Sequence, residues 1–231
     1  MNGMYVNRQF ANPLSIQHYS TSPLPTEWGE FIVHVYRDAN HQEHMAICKG
    51  TFAAGQATLT RVHSACFTGE ALGSLKCDCK AQLEFALQKI QQAESGVVVY
   101  LFQEGRGIGL GDKIKAYALQ ETQGLDTVDA NTHLGLSEDA RTYENAYAIL
   151  QDLGIDTIKL MTNNPLKVQA LQDAGIHVQE RIAVEVGLNQ VNYQYLETKQ
   201  QRMGHWLTTQ TQAQTIGLNP STNIPSNDKH S

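Results

Sequence analysis

The hydrophobic pattern changes character near Leu83. Ahead of it, residues 24–66 hold short extended segments and few helical ones, so the N-terminal part is expected to be β-rich. Beyond it, helical and extended patterns alternate. Leu83, Ala86, Leu87 and Ile90 recur at i, i+3, i+4 and i+7, the stripe of an amphipathic helix, and Gly96 ends it. Residues 97–102, Val-Val-Val-Tyr-Leu-Phe, form a short, β-branched, bounded run that reads as a buried strand. A second helix begins near Asp112 and covers residues 113–120. A third carries Tyr143, Ala146, Tyr147 and Leu150 as far as Gly154. Residues 158–161 are a strand, Asn164 caps a helix with Pro165 in its first turn, Gly175 closes that helix, and residues 176–178 resume extended structure. Strand, helix and strand at this spacing imply right-handed crossovers. The expected fold class is therefore α/β: a mixed, partly parallel sheet with flanking helices and a β-rich N-terminal part. No internal repeat is visible. The polar, proline-punctuated stretch 208–231 is expected to be a disordered tail.

Composition narrows the partners. A net charge of −6 over 231 residues argues against a nucleic-acid binder, so any anionic ligand must be held locally. No apolar run approaches the roughly 18 to 20 residues of a membrane span, and the N-terminus has no signal-peptide core. No membrane partner is expected. Four cysteines, three of them clustered, suit a reducing compartment and a metal better than a disulfide framework, which implies a cytoplasmic protein.

The cluster is Cys66, Cys77 and Cys79, spaced C-x10-C-x-C. A structural zinc site closes with four protein ligands, whereas a catalytic one holds three and leaves the fourth position open. Two other readings compete: buried apolar fillers that meet no metal, or a structural site completed by His63 or Cys48. Two loops carry further chemistry. Gln103-Glu-Gly-Arg-Gly-Ile-Gly-Leu-Gly111 lets backbone approach a ligand and offers the donor fork of Arg106, though it matches neither the dinucleotide fingerprint nor the P-loop. Residues 162–167 place amides, a hydroxyl and an ammonium at a helix start, which suits phosphate but is equally a plain capped helix. Both loops would lie at the carboxyl ends of strands, where α/β sheets bind ligands.

The motifs Arg61-Val-His-Ser-x-Cys-x-Thr-Gly-Glu, Ser74-Leu-Lys-Cys-Asp-Cys79, Gln103-Glu-Gly-Arg-Gly-Ile-Gly109, Lys113-Ile-Lys-Ala-Tyr-Ala-Leu119, Asp139-Ala-Arg141 and Thr162-Asn-Asn-Pro-x-Lys167 follow one another in an order and spacing that resembles GTP cyclohydrolase II. The resemblance covers residues 24–207, leaves residues 1–23 as an N-terminal extension, and has no room for a fused dihydroxybutanone-phosphate synthase domain. It implies that the imidazole ring of GTP is opened, with release of formate and pyrophosphate, to give the diaminopyrimidinone that starts riboflavin synthesis. It further implies one Zn2+ per chain on Cys66, Cys77 and Cys79, with an open position to activate water, and Mg2+ on the triphosphate. Arg61, Arg106 and Lys167 would neutralise the phosphates, with hydroxyls from Thr127 and Thr162. Gln82, Glu104 and Gly105 would lie near the nucleotide. Tyr117 would serve the ring opening, and Asp139 with Arg141 the α-phosphate, where Arg141 acts as nucleophile or as charge clamp. A homodimer is implied.

Two positions depart from the family pattern. Ala65 stands where glutamate is usual beside the first zinc cysteine, and Lys80 follows Cys79 where glycine is usual. A paralogue with altered substrate or formylated product, or a non-enzymatic zinc-containing nucleotide binder, are the alternatives. Retention of Tyr117, Asp139 and Arg141 favours the cyclohydrolase over the binder.

Overall fold

A computed structural model describes residues 16–137 and 139–217. Four strands come first: β1 (Ile16–Thr26), β2 (Gly29–Asp38), β3 (Glu43–Lys49) and β4 (Thr58–Ser64). A short helix α1 (Phe67–Glu70) leads into α2 (Cys79–Gln92), followed by β5 (Gly96–Leu101), a tight 3-10 turn (Glu104–Gly107), α3 (Leu110–Gln123) and α4 (Thr127–His133). The rest is α5 (Glu144–Asp152), β6 (Thr157–Met161), α6 (Pro165–Ala174), β7 (His177–Ile182), α7 (Tyr193–Gln201) and α8 (Thr209–Thr215).

All strands join one sheet in the order β1-β2-β3-β5-β4-β6-β7. The β1, β2, β3 and β5 contacts are antiparallel, and β5, β4, β6 and β7 run parallel. The alternation along β5 explains its unbroken apolar run. Val97, Val99 and Leu101 pack with Ile149 and Leu150 of α5 and Leu171 of α6, while Val98 faces Ala86, Leu87 and Ile90 of α2. Both faces of this strand are therefore buried, and a period of two is not required. Residues Asn164 and Gly175 bound α6 as the sequence predicts: the Asn164 side chain accepts from Leu166 N–H, and Gly175 adopts φ 108.

The structure differs from the sequence reading at both ends. Residues 16–23, assigned to the N-terminal extension, form most of β1; Pro23 and Pro25 lie two apart on this edge strand, so neither interrupts the ladder with β2. Residues 209–215, assigned to the disordered tail, form α8, in which Thr209 and Ala213 are buried. Their burial depends on packing that no local pattern announces. Residues 1–15 and 218–231 lie outside the described residues. Among the described residues, no helix is long and apolar enough to cross a membrane.

Candidate active site

Parallel strands bring three carboxyl ends to one edge. β4 ends at Ser64 beside Cys66, β5 ends at Leu101 beside the 3-10 turn, and β6 ends at Met161 beside Thr162. Ala65 N–H donates to Leu101 carbonyl at 2.8 Å and fastens the first two exits together.

The cysteines converge there. The Sγ atoms of Cys66, Cys77 and Cys79 all lie within 4.8 Å of one another, and Cys66 and Cys77 are 3.6 Å apart. Tetrahedral Zn–S bonds of about 2.3 Å require sulfurs about 3.8 Å apart, so the donor set fits Zn2+. Gly69 supports the fit. A Cβ there would stand 2.9 Å from Cys77 Sγ and 3.3 Å from Cys66 Sγ, so only glycine lets α1 lie against the sulfurs. Among the described residues no fourth Cys, His or carboxylate joins this group. Cys48 is a core residue whose thiol is pushed up to about 12 by burial. His63 meets Glu70 through Nε2 at 2.9 Å.

Carboxylates and the Lys113 ammonium lie beside the cluster. Glu70 accepts from Cys66 N–H at 3.0 Å and from Tyr100 hydroxyl at 2.6 Å, and Glu104 accepts from Phe67 N–H at 2.5 Å. Lys113 Nζ bridges Glu104 Oε1 at 2.8 Å and Cys66 Sγ at 3.1 Å. Hydrogen bonds from Cys77 and Cys79, with the Lys113 ammonium, hold the Cys66 thiol far below its ordinary value. Hydrogen bonding to Cys66 pushes the Cys77 and Cys79 thiols up. Lys113 is thus a cation hydrogen-bonded to the cluster. Lys80 points to solvent, 3.9 Å from Glu84.

These groups open into one cavity. Arg61 reaches it from β4: Nη1 donates to Met161 carbonyl at 2.8 Å and Nη2 to Gln82 Oε1 at 2.5 Å, while Nε is buried with no partner. Burial lowers its pKa to about 10. His63 Nδ1, Ser64 Oγ and Gln103 Oε1 on the same wall are also buried without partners. These four buried atoms without partners belong to residues that line one cavity. The 3-10 turn supplies Glu104, Gly105 and Arg106. Gly105 and Arg106 both sit at φ 62, a left-handed pair that costs the arginine about 1–2 kcal/mol. Gly107 packs so closely on Ala140 that a Cβ would meet its carbonyl carbon at 3.0 Å, and Ala140 N–H donates to Arg106 carbonyl at 3.0 Å. The turn thereby carries the Asp139–Arg141 segment.

Arg141 lines the cavity and Asp139 backs it. Arg141 Nε donates to Asp139 Oδ1 at 2.8 Å and Nη2 to Oδ2 at 2.5 Å. Burial opposes both charges, yet the paired hydrogen bonds outweigh it, raising the arginine and lowering the aspartate. Tyr117 and Thr127 also line the cavity. The Tyr117 ring lies 5.2 Å from Lys76 Nζ and 5.8 Å from Lys113 Nζ, and burial pushes its phenol up. Thr127 Oγ1 accepts from Gln120 Nε2 at 3.1 Å. Thr162 Oγ1 accepts from Asn164 N–H at 3.1 Å. Lys167 stands behind the wall: its ammonium donates to Val62 carbonyl at 2.6 Å, and burial with Arg61 and Arg141 nearby pulls its pKa well down.

The family model for GTP cyclohydrolase II matches residues 17–183. The chain belongs to the GTP cyclohydrolase II family of enzymes. Proteins named GTP cyclohydrolase-2 from Neisseria meningitidis serogroup C and from Neisseria gonorrhoeae are each 52% identical over 193 residues, spanning 84% of this chain and 98% of theirs. The Shewanella baltica protein of the same name is 47% identical over 196 residues, 84% of this chain and 96% of its own. Among solved structures, a two-domain 3,4-dihydroxy-2-butanone 4-phosphate synthase from A. baumannii covers 74% of this chain and 40% of its own at 21% identity and a TM-score of 0.41, too slight a likeness to bear on function.

Lys113 and Glu70 fall inside the family motifs, and their contacts to Cys66 come only with the fold. Lys113 stands four residues before Tyr117 on one helix, so its approach to the same face was legible. Tyr195, Lys199 and His205 also line the cavity, and no local pattern signals them. Burial, with Lys199, Arg141 and Arg106 nearby, lowers His205 to about 3. Because the unfolded histidine, at about 6.5, binds protons first, its contribution to stability is full above pH 6.5 and is lost as pH falls toward 3. Urea denaturation between pH 7 and 4 should therefore show a shallower acid loss of stability in His205→Asn than in the unaltered chain. An equal slope would refute the assignment.

Proposed function

We propose that this enzyme opens the imidazole ring of GTP, releasing formate and pyrophosphate to give 2,5-diamino-6-(5-phosphoribosylamino)pyrimidin-4(3H)-one, the first step of riboflavin biosynthesis. The observation that carries the reading is one cavity lined by both a three-thiolate cluster and the guanidinium groups of Arg61, Arg106 and Arg141. One Zn2+ held by Cys66, Cys77 and Cys79 would supply Lewis acidity for water addition at C8. Lys113, hydrogen-bonded to the Cys66 sulfur, would offset the excess negative charge of three thiolates. Arg61 and Arg106 would hold the triphosphate with its Mg2+, and the Thr127 and Thr162 hydroxyls would add contacts. Lys167 would act from behind the wall, by holding the Val62 carbonyl next to Arg61 on β4. Gln82, Glu104 and Gly105 would border the nucleotide. The enzyme would work as a cytoplasmic homodimer, which sizing tests.

Product analysis tests the whole reading. Purified protein incubated with GTP and Mg2+ should yield formate, pyrophosphate and the pyrimidine absorbance together. A formylated pyrimidine without formate would instead identify the paralogue that Ala65 makes the runner-up, and bound but unaltered GTP would identify a binder.

Tyr117 lies on the cysteine side, beside Lys113, so its phenol would serve the ring and not the α-phosphate. Tyr117→Phe should slow formate release about 100-fold, the lower range for losing a proton-transferring group, and leave pyrophosphate release largely intact. Loss of pyrophosphate release with formate retained would reverse the placement.

A further inference from the structure

The matched family stretch ends at residue 183, yet the chain continues along the cavity. Gly187 packs on the loop that carries two of the cysteines: a Cβ there would meet Ala81 Cβ at 2.7 Å and Asp78 Cβ at 3.4 Å. Asn189 donates to Leu75 carbonyl at 3.2 Å. Helix α7 then sets Tyr195 and Lys199 on the wall, and Trp206 N–H donates to Asn163 carbonyl at 2.9 Å, fastening the strap to the turn after β6. Two contacts on the segment that carries Cys77 and Cys79 and one on the turn after β6 make this a built wall.

Lys199 is its fixed point. Its ammonium lies 3.1 Å from Asp78 Oδ1, with side chains only 11% and 2% exposed, and 4.4 Å from the Tyr195 ring centre. Asp78 stands between Cys77 and Cys79. Its second oxygen accepts from Gln82 Nε2, and Gln82 Oε1 accepts from Arg61 Nη2 at 2.5 Å. An unbroken series of polar contacts therefore joins α7 to Arg61. The charges in it are close enough to matter, because a buried carboxylate without a partner is strongly unfavourable and draws the nearest free cation. With Lys199 in place, Asp78 is already neutralised, and Arg61 is held by Gln82 and Met161 with its Nε unpartnered.

We propose that Lys199 is a positioning residue of the nucleotide site: by neutralising Asp78 it keeps Gln82 in place and prevents Arg61 from collapsing onto that carboxylate, leaving the guanidinium to receive phosphate. The proposal rests on the GTP reading above. It predicts an effect confined to phosphate-bearing ligands. In Lys199→Met, the KM for GTP should rise about ten- to a hundredfold, the range for one charge-assisted hydrogen bond, with kcat changed much less. The Ki of guanosine as a competitive inhibitor should stay unchanged. Lys199→Arg should restore most of the KM. Adding Asp78→Asn to Lys199→Met should also restore it, because the carboxylate that draws Arg61 is gone. Equal loss for GTP and guanosine, an unchanged KM, or a further loss in the double variant would each overturn the proposal. If Lys199→Met does not accumulate as folded protein, amide exchange of the unaltered enzyme decides. GTP should slow exchange in residues 193–202 and 78–82 together, and protection confined to residues 61–66 and 104–106 would refute the coupling. Absence of turnover by the unaltered enzyme would sink the GTP reading itself, whereas loss of the Lys199 effect alone sinks only this proposal.

Discussion

Cys77→Ser is expected to empty the metal site and stop formate release, while Cys48→Ser does neither. Cys77 Sγ sits 3.6 Å from Cys66 Sγ, and a serine hydroxyl is a far poorer ligand for Zn2+ than a thiolate. Removing an outer partner of a metal ligand typically costs 10–100-fold, so loss of one of only three ligands should exceed about 100-fold. Elemental analysis is the direct measurement: one Zn2+ per chain in the unaltered protein and in Cys48→Ser, and a small fraction of that in Cys77→Ser. Full zinc in Cys77→Ser would show that the ligand set is wrong. Metal-stripped protein should still bind GTP, because the proposed phosphate contacts are made by guanidinium groups and not by the metal. Formate release that survives stripping would remove the metal from the reaction.

Arg141 carries the second large effect. A nucleophilic arginine must shed a proton, but the Asp139 carboxylate, paired to it through two hydrogen bonds, stabilises the charged form and is itself a weakened base. The pairing favours the proposed clamp, in which Arg141 would meet developing charge at the α-phosphate. Arg141→Met should then lower pyrophosphate release by about 10²–10³, the range for losing one preorganised charge stabiliser, whereas Arg141→Lys keeps a measurable rate. Lysine retains the charge and loses the bidentate fork. If Arg141→Lys is as inactive as Arg141→Met, the clamp is excluded and the nucleophile reading returns. Pyrophosphate release is the readout in both.

Most of the scaffold was legible in the chain, because the signals there are local. Period and length place α2, β5 and α6, and caps such as Asn164 and Gly175 bound their own helix through contacts only a few residues away. The cysteine spacing likewise pointed to a three-sulfur cluster able to hold a metal, and motif order to the family. Tertiary structure decided what lies beyond local reach. Whether His63 or Cys48 joined the cysteines depended on where β3 and β4 point their side chains, and both proved to have other neighbours. Lys80 and Lys113 look alike as isolated cations near a motif, yet helix geometry turns one to solvent and the other to Cys66. Lys167 sits in a matching motif but its ammonium donates to a backbone carbonyl, that of Val62 in β4. Edge-strand pairing ordered residues 16–23, and burial against α7 ordered residues 209–215, neither of which carries a hydrophobic period of its own. The contribution of α7 to the cavity was least legible of all. Lys199 meets Asp78 across 121 residues of sequence, and a contact at that separation is specified by the packing of the whole sheet and its helices.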